Sequence, residues 1–308
     1  MAIVKYSIPK LKRKKINLLN FLSLNLHKFM AVPALILFSV FFIYPLLNGI
    51  GLSLTDYNGI SKPNFVGIKN FIDFFKDDRA RNDVVNTVFF ALACAPLLNI
   101  FGLIYALILD REFKGKSLVR AVVYLPAVIS PLIMGYIWYF ILQPDKGFLF
   151  SITKALGFTI SNSNWLADRY MSLWVLVLVN VWQYVGMTMI IYLAGLQSIP
   201  VEVNEASKID GAGYFQNLWY ITLPLMIHPM KINIITNIIG SLSVFEIIVA
   251  LTDGGPGYST ESLSIYIMRM CYGSFTGYST AIAVILFFII LIPVLISFKI
   301  MKAREFEV

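Results

Sequence analysis

Six apolar stretches, each long enough to cross a lipid bilayer as a helix, constrain this chain more than any other feature. They run Phe29–Leu54, Val85–Leu109, Ala121–Leu142, Met171–Leu196, Ile227–Leu251 and Tyr278–Met301. About 20 apolar residues of helix span the ~30 Å hydrocarbon core of a bilayer. Inside lipid every backbone N–H and C=O must be satisfied within the segment, so such stretches read as helices rather than loops or open sheets. Composition agrees, with 58% hydrophobic residues and a mean hydropathy of +0.75, too apolar for a soluble globular chain. The expected fold is therefore an all-α membrane protein with six transmembrane helices.

Charge gives the orientation. The chain carries 25 Lys and Arg against 17 Asp and Glu, a balance of +8 that in a soluble protein would point to nucleic acid. Its placement points elsewhere. Lys5, Lys10, Lys12, Arg13, Lys14, Lys15 and Lys28 all precede the first span; Arg111, Lys114, Lys116 and Arg120 lie between spans two and three; Lys299, Lys302 and Arg304 close span six. These clusters share one side of a six-span arrangement, which the positive-inside rule makes cytoplasmic, with both termini inside. Against this pattern, the outer loop 55–84 carries Lys62, Lys69, Lys76, Arg79 and Arg81, although it is long and also rich in Asp.

The expected organisation is a basic cytoplasmic arm at 1–28, with a surface helix through Ile16–Leu26, a membrane domain at 29–301 and a cytoplasmic tail at 302–308. The basic start followed by an apolar run resembles a secretory signal, but Phe29–Leu54 is too long and lacks a small-x-small cleavage site, so it reads as a retained span. Outer loops fall at 55–84, 143–170 and 252–277. The last opens on Thr252-Asp-Gly-Gly-Pro256, which stops a helix because Gly permits positive φ and Pro cannot continue the hydrogen-bond ladder.

No catalytic constellation is present in the sequence. Gly115-Lys116-Ser117 looks like the end of a phosphate-binding loop, but Asp110 stands where that motif needs its first glycine, and no strand precedes it. The two histidines, His27 and His228, sit at span ends, and Cys94 and Cys271 have no metal or redox spacing. Glu246 is the one acid well inside a span, where an ion-driven transporter usually has several. The chain reads as a non-enzyme, without cofactor or metal of its own, whose driving energy comes from elsewhere.

A polar island between spans four and five supplies the link. Glu205-Ala-Ser-Lys-Ile-Asp-Gly-Ala212, followed by Ile221-Thr-Leu-Pro224, resembles the EAA motif of permease subunits in bacterial ABC importers. Leu193-Ala-Gly-Leu-Gln-Ser-Ile-Pro200 before it, Leu251-Thr-Asp-Gly-Gly-Pro256 and Gly277-Tyr-Ser-Thr-Ala-Ile-Ala283 after it, and Phe65-Val-Gly-Ile-Lys-Asn-Phe71 and Leu125-Pro126 upstream narrow the match. Together they are similar to carbohydrate importers, and to the larger permease subunit of the maltose type. Ser207 departs from the motif, which usually has a second Ala there, and the extra N-terminal spans and large outer domain of the maltose subunit are missing.

The resemblance implies a transmembrane permease subunit of an ATP-driven sugar importer, forming half of the translocation pore. Loop 197–226 would carry a coupling helix docking on a cytoplasmic ATPase, with Glu205, Ala206, Ser207, Asp210, Gly211 and Ala212 as its contact or turning residues. The small residues would allow close docking, and Gly211 would let the chain turn away. Implied partners are a second homologous permease, two ATPase subunits that bind the ATP and Mg, an extracytoplasmic solute-binding protein docking on loops such as 252–262, and membrane lipid. Aligned on the motif, the family's sugar-contacting positions fall on Asn180, Gln183, Tyr184 and Asn237, with Ser241 one turn further on. Amides and aromatics suit a carbohydrate, an oligosaccharide by analogy. In span three, Ala127, Ser130 and Pro131 are less polar than their maltose-type counterparts, implying a different sugar geometry. Interhelical hydrogen bonding is the plainer role for the same amides. Trp182 and Glu246 are open between solute contact and packing, and Phe245 reads as core. The rival reading is a self-sufficient secondary transporter or channel built around Glu246. A polytopic membrane enzyme finds no support in the residues.

Overall fold

The computed structural model describes residues 31–144, 146–157 and 165–303. The expected N-terminal arm and its surface helix, and all of the C-terminal tail beyond Ala303, lie outside the described residues. The chain divides into two compact units, the first ending at Gly51 and the second beginning at Leu52. The first is represented by helix α1, Ala31–Ser53, which runs across the boundary and contains a π-helical turn at Ser39–Ile43.

The second unit holds everything else. Its helices are α2 (Lys69–Lys76), α3 (Asp78–Leu109), α4 (Lys116–Val128), α5 (Pro131–Leu142), α6 (Phe148–Ala155), α7 (Arg169–Gln197), α8 (Val201–Ile209), α9 (Ile227–Leu242), α10 (Glu246–Leu251), α11 (Leu263–Tyr272) and α12 (Thr276–Lys302). Among the described residues the only β pairing is an isolated bridge between Thr55 and Phe65. Four helices, α1, α3, α7 and α12, are long and apolar enough to cross a membrane, and the pair α4–α5 makes five if counted as one bent span.

Two of the six expected spans are therefore interrupted. Ala121–Leu142 is not one straight helix but two helices meeting at 98°, broken at Ile129 and Ser130. Pro131 explains this: it restricts the residue before it to extended backbone and removes a donor, so a new helix starts there. Ile227–Leu251 is likewise broken, at 243–245, into a helix of 16 residues and one of 6. No proline marks that break; instead the Ser262 hydroxyl donates to the Val244 carbonyl at 2.8 Å, satisfying a backbone group the interruption exposes.

Helix ends follow side-chain chemistry. Asp77 accepts from the backbone N–H groups of Arg79 and Ala80 and starts α3; Asp168 accepts from those of Tyr170 and Met171 and starts α7. Helices α3 and α7 form the most extensive pairing, with α5 against α10 and α9 against α3 and α12. Small residues permit the closest approaches. A Cβ on Gly186 of α7 would stand 2.4 Å from the Val123 carbonyl oxygen of α4. The core is layered along the bundle. Phe90, Leu98, Leu176, Val177 and Ile247 fill the middle, Leu109, Met189, Tyr192 and Met226 one end, and Phe74, Leu263, Tyr266 and Ile282 the other.

Candidate functional site

Three places stand out, one at each end of the bundle and one between. At the first end, α7 stops at Gln197, Pro200 breaks the chain, and α8 carries the polar island. The helix closes on a left-handed Gly211 (φ +79°), whose N–H donates to the Lys208 carbonyl while Ala212 N–H donates to that of Ser207. A short helical stretch, 214–225, with a π-helical turn at Leu218–Thr222, then leads into α9. Of the residues expected to couple, Glu205, Ala206, Asp210 and Gly211 are exposed and Ala212 is half-buried.

Ser207 behaves differently from the expectation of a docking face. It is buried and faces its own chain, with Asn217 donating to its hydroxyl at 2.7 Å. Asn217 in turn accepts from Thr222 at 3.0 Å, so one amide ties α8 to the segment that follows. Around this strut the surface is strongly apolar: Ile209, Phe215, Trp219 and Tyr220 are all more than 60% exposed. Arg111, in the turn after α3, lies 5.3 Å over the Tyr214 ring, so that turn meets the loop following α8.

The middle place is a cavity of about 420 Å³ between α7, α9 and the start of α10. Helix α7 contributes Asn180, Tyr184 and Thr188 at i, i+4, i+8, and α9 contributes Asn233, Thr236, Asn237 and Ser241, a polar stripe at helical spacing. Ser243 and Glu246 flank the break between α9 and α10 and complete the polar lining. Thr188 joins the two walls: its backbone carbonyl accepts from Asn233 at 3.0 Å and its hydroxyl from Asn237 at 3.2 Å. Asn180 accepts from the Cys94 thiol, and the buried Ser241 hydroxyl sits beside the same thiol without an oxygen or nitrogen partner.

Four of the five expected solute-contacting residues, Asn180, Tyr184, Asn237 and Ser241, thus share one cavity. Gln183 does not. It is fully buried outside the cavity, where α7 meets α4, and its amide donates to the Ile129 carbonyl at 3.0 Å, holding the bend between α4 and α5. Its i+3 spacing from Asn180 matched the sequence pattern, but the close α4–α7 approach at Gly186 turns that side chain toward α4. Trp182 packs edge-on against Trp138. Asn233, Thr188 and Thr236 were missed, although the recurrence of small polar residues on one face of the fifth span was a readable signal.

At the other end, loops that lie far apart in sequence are locked together. The Glu261 carboxylate, with no exposed side-chain surface, accepts from Arg79 at 2.7 and 2.9 Å and pairs with Arg269 at 3.0 Å. Arg79 is stacked 3.6 Å from the centre of the Tyr258 ring, while Asn82 and Asn86 donate to the Tyr258 carbonyl. The buried Asp83 lies beside Glu261. Asp77 accepts from the hydroxyls of Tyr266 and Tyr278. Burial works to raise the Asp77 pKa, but those hydroxyls and the N–H groups of Ala80 and Arg79 hold it below the usual carboxylate range. The Tyr266 hydroxyl is pushed up, by burial first, then by its hydrogen bond to Asp77 and the charge of that carboxylate. Sequence reasoning treated the basic residues of loop 55–84 as scattered exceptions; Arg79 is an ion-pair partner for a residue 182 positions away.

Residues 98–305 match the family described as the inner membrane component of binding-protein-dependent transport systems. Similar proteins include a probable starch degradation products permease, AmyD, of Thermoanaerobacterium thermosulfurigenes, 33% identical over 89% of this chain and 93% of that one. The multiple sugar-binding transport permease MsmF of Streptococcus mutans is 35% identical over 90% and 95%. The trehalose/maltose permease MalF of Thermococcus litoralis is 31% identical over 90% and 93%. Among solved structures, a bacterial ABC transporter that imports alginate aligns with a TM-score of 0.79 at 24% identity, covering 93% of this chain and 98% of its counterpart. The bundle with its polar cavity and projecting loop is thus that of a membrane-embedded transport permease. The chain belongs to the family of inner membrane components of binding-protein-dependent transport systems.

Proposed function

We propose that this chain is the permease subunit that forms half of the pore of an ATP-driven carbohydrate importer, and that oligosaccharides are its solutes. The observation carrying the reading is the cavity between α7 and α9, where amide, hydroxyl and aromatic groups converge inside an otherwise apolar bundle. Asn180, Tyr184, Asn237 and Ser241 contact the sugar, with Asn233 and Thr236 beside them. The names of the similar permeases, which refer to starch products, multiple sugars and trehalose or maltose, support the same solute class.

Loop 197–226 is the coupling element. It faces the cytoplasm, as do both termini, and seats α8 on an ATPase partner that binds ATP and Mg. Glu205 and Asp210 supply charge to that contact, and Ala206 and Ala212 keep it close; Gly211 sets the exit angle. Two ATPases and a second, homologous permease complete the assembly, and the extracytoplasmic binding protein docks on the end built from 55–84 and 252–277. Closure of the ATPase pair moves α8 as a lever and switches the cavity from one membrane face to the other.

The test is ATP hydrolysis by the complex co-purified through this chain and reconstituted in lipid, with its binding protein and a panel of malto-oligosaccharides and related sugars. Sugar-stimulated hydrolysis, lost in Glu205→Lys together with weakened assembly, is the expected result. Solute flux through this chain without any co-purifying ATPase would overturn the reading in favour of a self-sufficient transporter.

A further inference from the structure

Among the described residues lining the cavity, Glu246 is the only acid or base, and no Lys, Arg or His contributes to this chain's part of the wall. Its position follows from the break between α9 and α10. Had Ile227–Leu251 been one continuous helix, residue 246 would have followed the face of α9; instead the chain leaves helical geometry at Ser243–Phe245 and restarts with Glu246 as its first residue. The side chain is exposed to the cavity, within electrostatic reach of Tyr184 across it. Ion pairing with a wall residue does not account for the charge, and the Val244 carbonyl freed at the break is satisfied by Ser262 without it.

We infer that Glu246 sets the charge class of the transported solute: the pore accepts neutral and cationic saccharides and rejects acidic ones, the uronates and sugar phosphates. This rests on the carbohydrate-importer reading above. A carboxylate in this setting does two things. Its two oxygens accept hydrogen bonds from vicinal sugar hydroxyls, complementing the amide groups of Asn180 and Asn237. It also repels a second carboxylate. Two like charges about 6 Å apart at an effective dielectric of about 20 lower binding by roughly 100-fold, and by less where water fills the gap. An anionic sugar would need a guanidinium, an ammonium or a cluster of free N–H donors to offset this, and the half of the wall that this chain supplies offers no cation among its described residues.

The experiment measures binding of three probes of matched length to the permease–ATPase complex in lipid nanodiscs, without added binding protein. The probes are maltotriose, a chitosan trimer with protonated amines, and a trigalacturonate, each taken to millimolar concentration by calorimetry. The wild type is expected to bind maltotriose and the chitosan trimer at least 10-fold more tightly than the trigalacturonate. Glu246→Gln, which preserves shape, should narrow that ratio by 10- to 100-fold, and Glu246→Lys should invert the order of the charged probes. Equal affinity of the wild type for the neutral and acidic probes, or a ratio unmoved by Glu246→Gln, would overturn the inference while leaving the importer reading intact. Failure of all three probes to bind would count against the carbohydrate reading itself, and with it against this inference.

Discussion

Removing Glu261 should loosen the end of the molecule that is proposed to receive the binding protein, and the structure sets the size of the effect. The carboxylate has no exposed side-chain surface and holds two guanidiniums whose side chains are 26% and 24% exposed. Breaking a buried pair by deleting one partner typically costs about 3–5 kcal/mol, because the other charge is left without compensation. Here both cations retain access to water and Arg269 keeps its bonds to Asp253, so the lower end, about 3 kcal/mol, is expected for Glu261→Ala. Glu261→Gln should cost less. Its amide oxygen still accepts from Arg79, and the neutral amide no longer repels the neighbouring Asp83 carboxyl.

The assay is a thermal scan of the purified complex in nanodiscs at fixed scan rate, since irreversible unfolding makes the midpoint rate-dependent. A loss of that size corresponds to a midpoint lowered by roughly 5–10 °C for Glu261→Ala. Arg79→Met, made alone and combined with Glu261→Ala, completes a double-mutant cycle. Because the two groups touch, their effects should fall short of additivity by at least about 1 kcal/mol. A Glu261→Ala midpoint within a degree of wild type, or strict additivity with Arg79→Met, would refute the argument that this ion pair clasps loop 252–262 to α3.

Four further outcomes are expected. Asn217→Ala cuts the strut to Ser207 and should raise ATP hydrolysis per solute transported several-fold, with a stability loss of only about 1 kcal/mol; flux and hydrolysis measured on one proteoliposome preparation check it. Gly186→Ala places a methyl 2.4 Å from the Val123 oxygen and 2.7 Å from the Tyr124 Cα, backbone atoms that cannot yield cheaply. It should cost 2 kcal/mol or more, to the order of magnitude seen for overpacking, visible as lost folded yield on size-exclusion chromatography. Gln183→Met leaves the Ile129 carbonyl without its amide donor and should lower the thermal midpoint by a few degrees while sparing sugar affinity. Asn180→Ala should do the reverse, and calorimetry with maltotriose distinguishes the two.

What the sequence made legible, and what it did not, divides along the range of the interactions involved. Long apolar runs predict helices because lipid leaves the backbone no other partner, and α3, α7 and α12 lie where those runs lie. The polar face of α7 was half legible. Asn180, Gln183 and Tyr184 share one face by spacing, yet the backbone of α4, pressed against Gly186, takes Gln183 out of the cavity and puts it to work at the bend. The bend itself was written in Pro131, and hydropathy alone read through it. By contrast, nothing within Ile227–Leu251 forecasts the break at 243–245, because the hydroxyl that satisfies the Val244 carbonyl comes from Ser262, beyond the Gly-Gly-Pro turn. The same distance hid the Arg79–Glu261 pair, whose members look like unrelated loop charges until the fold brings them together. The two interactions meet in one stretch of chain: Ser262, which supports the break that positions Glu246 in the cavity, directly follows Glu261, which is held by Arg79 and Arg269. A partner pulling on loop 252–262 would therefore act on the cavity wall through two adjacent residues. Disturbing that loop should change solute affinity as well as docking, and Ser262→Ala is the substitution that separates them, because it removes the bond to Val244, together with the cap on the Ile265 N–H, and leaves the side chains of the ion pairs in place.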